Sequence, residues 1–233
     1  MDFVEVRLEA PQEAAPELRA FYLDYLGLDA GEGSREDLLS FEVGPAATHF
    51  SAAARHTAPF YHFALLVPGN RFDAAYAWLG ARTSLLPDSD TGETVFDFDN
   101  WHALACYCLD PAGNIVELIA HRGVSETSSE GPFSGREMVG FSEVGLVVAD
   151  KAQSVAALAQ HLDLQVWDGE VRDPSRIVFV GERGRTLILS LPGRGWVPTG
   201  RPAEMHPVAL VLRGTRAGET HLSGTTHRLA GAD

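Results

Sequence analysis

The chain has 233 residues, 45% of them hydrophobic and 21% charged, so it can bury a sizeable core and is not a disordered segment. A net charge of −14 excludes a surface built to grip nucleic-acid phosphates and disfavours an anionic membrane surface. Cys106 and Cys108 form no disulfide framework, Met1-Asp2-Phe3-Val4-Glu5 carries no signal-peptide pattern, and no apolar run reaches spanning length. A reduced, cytoplasmic protein is therefore expected, with both cysteines as small buried hydrophobes.

Three segments repeat one grammar, in which a short strand is followed by a helix and then a run of strands. The first opens at Phe3-Val4-Glu5-Val6-Arg7-Leu8, the second at Tyr61-His62-Phe63-Ala64-Leu65-Leu66-Val67 and the third at Phe141-Ser142-Glu143-Val144-Gly145-Leu146-Val147-Val148. Alternation predicts that Val4, Val6 and Leu8, then Phe63, Leu65 and Val67, then Val144, Leu146 and Val148 face a helix. Glu5, His62 and Glu143 fall on the opposite face at matching positions.

The helices follow at once. Ala15, Leu18, Phe21, Tyr22, Tyr25 and Leu26 recur at helical spacing and stop at Gly27. Phe72, Ala75, Tyr76 and Leu79 stop at Gly80, and Val155, Leu158, Ala159 and Leu162 form the third helix. Tyr25-Leu26-Gly27-Leu28 and His161-Leu162-Asp163-Leu164 occupy equivalent helix ends.

Strands are expected at 95–98, 103–109 and 115–120, the last two joined by the turn Asp110-Pro111-Ala112-Gly113-Asn114. In the third segment, 177–180 and 186–191 flank Gly181-Glu182-Arg183-Gly184, a hairpin signal. Residues 123–137 read as a linker, and Pro207 to Leu212 begins a fourth unit that runs out of chain with no helix pattern. The expected fold is α+β: repeated βαβββ units with curved mixed sheets forming a cup, three full units plus a C-terminal stub. Residues 1–122 are expected to hold two paired units and the site, and 138–233 a degenerate third unit with the partial fourth.

Two motifs carry a resemblance. Phe21-Tyr22-Leu23-Asp24-Tyr25-Leu26-Gly27-Leu28 resembles the helix end of vicinal-oxygen-chelate proteins, the glyoxalase, bleomycin-resistance and dioxygenase superfamily. Tyr107-Cys108-Leu109-Asp110-Pro111-Ala112-Gly113-Asn114-Ile115-Val116-Glu117-Leu118 is similar to their strand-turn-strand segment. The resemblance implies metal ligands on the first strand of each paired unit and on the last strand. The matching residues are Glu5, His62 and Glu117, with Ala52 at a fourth position where no ligand is available.

Such a set suits a divalent transition metal, Mn, Fe, Co, Ni or Zn, though a metal-free cup is equally compatible with a Glu5–Arg7–Glu9 charge ladder. Further pocket candidates are Arg7, on the face of Glu5; Trp101 and His102, entering the strand before the turn; and His121, on the face of Glu117. For each histidine the alternative is a hydrogen-bonded structural or solvent-facing residue. A second metal site on Glu143 and His206 is rejected, because the third unit's last strand, Leu187-Ile188-Leu189-Ser190-Leu191, and the stub supply no ligand. Gly193-Arg194-Gly195 is a glycine-bearing turn without the ending of a phosphate loop.

Two functions stand open at this point. One is a metal-dependent lyase, isomerase or dioxygenase acting on a small oxygenated molecule. The other is a metal-free protein of the bleomycin-resistance type that sequesters a small molecule or antibiotic. The expected partner is a small molecule, not nucleic acid or membrane, and pairing of units across a homodimer is compatible with the stub.

Overall fold

The computed structural model describes residues 1–33 and 37–232. The first unit consists of β1 (Asp2–Ala10), β2 (Asp37–Val43) and β3 (Ala46–Ala52), with helix α1 (Ala15–Arg19) running on into a π-helical turn at Ala20–Tyr25. The second has β4 (His62–Leu66), α2 (Phe72–Gly80), β5 (Phe96–Phe98), β6 (Ala103–Leu109) and β7 (Ile115–His121). The third has β8 (Gly140–Val147), α3 (Lys151–Leu162), β9 (Val166–Gly169), β10 (Val178–Glu182) and β11 (Arg185–Ser190). The stub adds β12 (Ala209–Arg213), β13 (Gly218–His221) and β14 (Arg228–Ala232), with no helix among its described residues.

These strands form two sheets. Six run in the order β13-β14-β12-β1-β3-β2 and eight in the order β5-β6-β7-β4-β8-β11-β10-β9. The junction of the larger sheet is the antiparallel pair β4 and β8, so the second unit closes on the third. The first unit closes on the stub through β1 and β12. This differs from the expected pairing of the two units within residues 1–122. The cause is that each opening strand carries a similar apolar face and a free edge, so local pattern does not select its partner.

One face of each sheet enters a shared core that holds Val6, Leu8, Phe63, Leu65, Val67, Val144, Leu146, Val148 and the buried residues Leu18, Leu79 and Leu158 of the helices. Val4 departs from the expected alternation. A register shift between Phe3 and Glu5 in the β1–β12 pairing turns Phe3 inward in its place, and Val4 is only half-buried. The π-helical turn has a similar effect on Tyr25, which is exposed rather than packed.

The helix ends behave as equivalents: Gly27 and Asp163 both adopt left-handed backbone, with φ of 64° and 59°. The turn at residues 110–114 is built on buried Asp110. It accepts hydrogen bonds from the Ala112 and Asn114 amides at 2.9 Å and from the Asn114 side chain and the Tyr22 hydroxyl at 2.7 Å. Tyr22 thereby ties the first unit's helix to the second unit's turn. The segment 123–137 is held at both ends, by Asn70 against Thr127 and by Arg71 against Glu137.

Candidate functional site

The other face of the eight-stranded sheet forms a concave surface with its own apolar cluster, including Phe60, Tyr107, Phe179, Ile188 and Trp196. Strand register places its polar residues. Ala64 on β4 pairs with Glu117 on β7 and with Glu143 on β8. The small Ala64 thus lies between two carboxylates, and His62 lies two residues before it on the same strand face. His62 Nε2 is 3.0 Å from Glu117 Oε2, and all three polar side chains line one cavity of about 220 Å³. All three residues are buried.

The electrostatics follow from that burial. Loss of water pushes the carboxyl of Glu117 up to about 8, against a smaller downward pull from the Tyr107 hydroxyl. Burial likewise raises Glu143 to about 8, helped by the charge of Glu117 and opposed by His62. Burial lowers His62 to about 4; Glu143 opposes that shift and Arg194 adds to it. Among the described residues neither carboxylate forms an ion pair with Lys or Arg, and the Nδ1 of His62 is buried with no hydrogen-bond partner.

A ribbon from Leu191 to Ala203 covers the cup. It is closed by the Gly193 amide to the Ala203 carbonyl at 2.8 Å and the Trp196 amide to the Arg201 carbonyl at 2.9 Å. Arg201 pins its far end by lying over the Phe60 ring and donating to the Gly113 carbonyl. The ribbon brings Arg194, Trp196 and Val197 to the cavity wall, with the Trp196 ring centred 5.1 Å from that of His62. On the opposite wall Trp101 donates its indole N–H to Asp168 at 2.6 Å and packs edge-on against Phe179.

The structure therefore unites His62 and Glu117, and adds Trp101, but it separates Glu5 and Arg7. Those two lie on the six-stranded sheet, ion-paired with each other, in a different cavity with Glu219, His221 and Arg228. The place expected for Glu5 is held by Glu143, because the partner of the second unit is the third. His102 sits in left-handed backbone at the strand entrance and faces another depression, beside Gly69 and Phe72. His121 is fully buried beyond the cavity lining, with neither ring nitrogen hydrogen-bonded. His206 lies before β12, 3.2 Å from Glu204.

Register also corrects the fourth position. Glu117 pairs with the residue two beyond His62; the same relationship in the first unit links Arg7 to His49, not to Ala52, and in the third links Gly145 to Ile188. Counting from the turn overshoots. The fourth place in the larger cup is thus an isoleucine, which has no donor atom for a metal.

The chemistry of the side chains decides whether they suit a divalent ion. Among the described residues no group of three His, Cys, Asp or Glu side chains is already spaced to hold an ion, although His62 and Glu117 are in direct contact. The donor types nevertheless fit: one imidazole and two carboxylates neutralise a divalent charge, and the buried acid has no protein cation to do so.

Two βαβββ units closing on their first strands into a ligand-sized cup define the vicinal-oxygen-chelate fold, and this chain has it. No family model matches the sequence, and no curated protein matches it either. Solved structures match in fold. A dioxygenase candidate from Bacillus subtilis subsp. subtilis str. 168 aligns over 99% of this chain and 85% of its own, at 16% identity and a TM-score of 0.58. Glyoxalase I from Zea mays aligns over 90% of this chain and 74% of its own, at 14% identity and a TM-score of 0.51. A point mutant of the same enzyme aligns over 99% of this chain and 93% of its own, at 12% identity and a TM-score of 0.56.

Proposed function

We propose that the cup between the second and third units is the active site of a metal-dependent enzyme that acts on a small oxygenated molecule by lyase, isomerase or dioxygenase chemistry. The observation that carries this reading is the uncompensated acid at its floor, where two buried carboxyls raised to about 8 flank Ala64 beside an imidazole. Structural carboxylates of ordinary cores are paired with a cation or exposed.

His62 Nε2, Glu117 and Glu143 would hold the ion. A divalent metal there supplies Lewis-acid polarisation of a substrate oxygen. The protein's own share is to bind and shield. Trp101, Phe179 and Trp196 wall the cavity and exclude water, and Tyr107 sets a hydroxyl beside Glu117.

Titration calorimetry of Mn²⁺ into chelator-treated protein tests the reading. Saturable uptake that is lost in His62→Ala supports it, and absence of uptake by the wild type contradicts it. The direct His62–Glu117 contact favours a second reading in that event: a metal-free cup that sequesters a cationic small molecule between its aromatic walls.

A further inference from the structure

The ribbon over the cup carries a cation that the fold itself does not use. Arg194 is half-buried and lines the cavity, yet its guanidinium makes no hydrogen bond or ion pair with any described residue. The contrast with other arginines that touch the core is direct. Arg71 bonds to Glu137, Arg201 to the Gly113 carbonyl and Arg183 to three carbonyls. Partial burial of an arginine without a partner costs stability that an anionic ligand group would recover.

The surroundings restrict what that group is. The cavity that Arg194 lines has aromatic walls, from Phe98, Trp101, Phe179 and Trp196, and Ile177 and Ile188 complete an apolar slot. A guanidinium presents a planar fork of N–H donors that matches a carboxylate with two parallel bonds. The polar floor of His62, Glu117 and Glu143 lies in the same cavity. A volume of about 220 Å³ limits the occupant to a small molecule.

We propose that the cup selects small aromatic carboxylates, with the ring between the aromatic walls, the carboxylate on Arg194 and the reacting oxygen-bearing end toward His62, Glu117 and Glu143. This rests on the reading of the cup as the active site and names its substrate class. Arg194 acts as the specificity-determining anchor, and the ribbon holds Arg194 and Trp196 on the same cavity for an acid of the right length.

The test compares phenylacetate with its neutral isostere phenylacetamide, followed by tryptophan fluorescence of Mn²⁺-equilibrated protein. Wild type is expected to bind the acid more tightly than the amide by roughly ten- to a hundred-fold, the range of a charge-assisted hydrogen-bond pair. Arg194→Met should lose that preference, its affinity for the acid falling by roughly ten-fold more than its affinity for the amide, and Arg194→Lys should retain part of it. A cooperative melting transition at or above the wild-type temperature verifies folding of the variants. Mn²⁺ uptake, measured on the same samples, should persist in Arg194→Met. Equal affinity of wild type for acid and amide, no binding of the acid, or undiminished acid binding in Arg194→Met overturns the proposal. Loss of Mn²⁺ uptake alone, with acid preference intact, overturns the metal reading and leaves the anchor standing.

Discussion

Ala64 and Arg7 occupy equivalent places on the opening strands of the two sheets, each two residues beyond the strand's acidic or imidazole group and each paired with the unit's last strand. In the six-stranded sheet Arg7 fills that place with a cation, bonding Glu5 and reaching Asp37 at 3.4 Å, while Asp37 also lies 3.2 Å from His49. In the eight-stranded sheet Ala64 leaves the place free of charge between Glu117 and Glu143. Glu5 and Asp37 have an arginine beside them, whereas Glu117 and Glu143 have none among the described residues and are held protonated by burial, which is why the second cup is proposed as the site of the chemistry.

The uncompensated acid makes stability depend on pH in chelator-treated protein. Glu117 and Glu143 have folded pKa values of about 8 against 4.5, so the folded state keeps protons that the unfolded chain has lost. Their contribution is fully present below 4.5 and is lost as pH rises toward 8. His62, lowered from 6.5 to about 4, works the other way, and its contribution is lost as pH falls through about 4. The effects oppose below 6.5; above it only the carboxyls act. Unfolding free energy should therefore fall between about pH 6.5 and 8 by on the order of 2 kcal/mol per pH unit, from the two carboxyls together. Denaturant titrations at several pH values should show this slope in wild type and a flatter one in Glu143→Gln. A wild-type stability independent of pH over that interval contradicts the assignment.

Leu65 is fully buried in the core shared by both sheets. Leu65→Asp places a charge there without a partner and should cost more than about 4 kcal/mol, enough to abolish cooperative unfolding. A soluble variant with the wild-type melting transition would show that the strand register is wrong.

Asp110 accepts four hydrogen bonds and links two units through Tyr22. Asp110→Ala should destabilise by on the order of 3 kcal/mol, and Tyr22→Phe by about 1 to 2 kcal/mol. Because both act on one network, the double variant should lose less than the sum, which thermal denaturation of the set will measure.

Much of this architecture is legible in the residues. The left-handed ends at Gly27 and Asp163, the turn on Asp110 and the facing of Phe63, Leu65, Val144 and Leu146 all follow from local chemistry and alternation. His62 and Glu117 can be placed together because motif and parity fix them. Glu143 has the right parity, but its role depends on which unit pairs with the third, a choice made by long-range burial and not by any segment alone. Glu5 is misplaced by parity for the same reason. The ribbon at 191–203 has no periodicity to announce it, so Arg194 shows in the sequence only as part of a glycine-bearing turn; an arginine between glycines beside Trp196 is the one available signal.

The most direct test of the central claim is the metal content of tag-free protein purified without chelator, measured by elemental mass spectrometry for wild type, Glu143→Gln and Glu5→Gln. The account predicts about one divalent transition metal per chain in wild type and Glu5→Gln, and most of it gone from Glu143→Gln. A wild type that carries none and takes up none, or metal lost from Glu5→Gln and kept in Glu143→Gln, would contradict it.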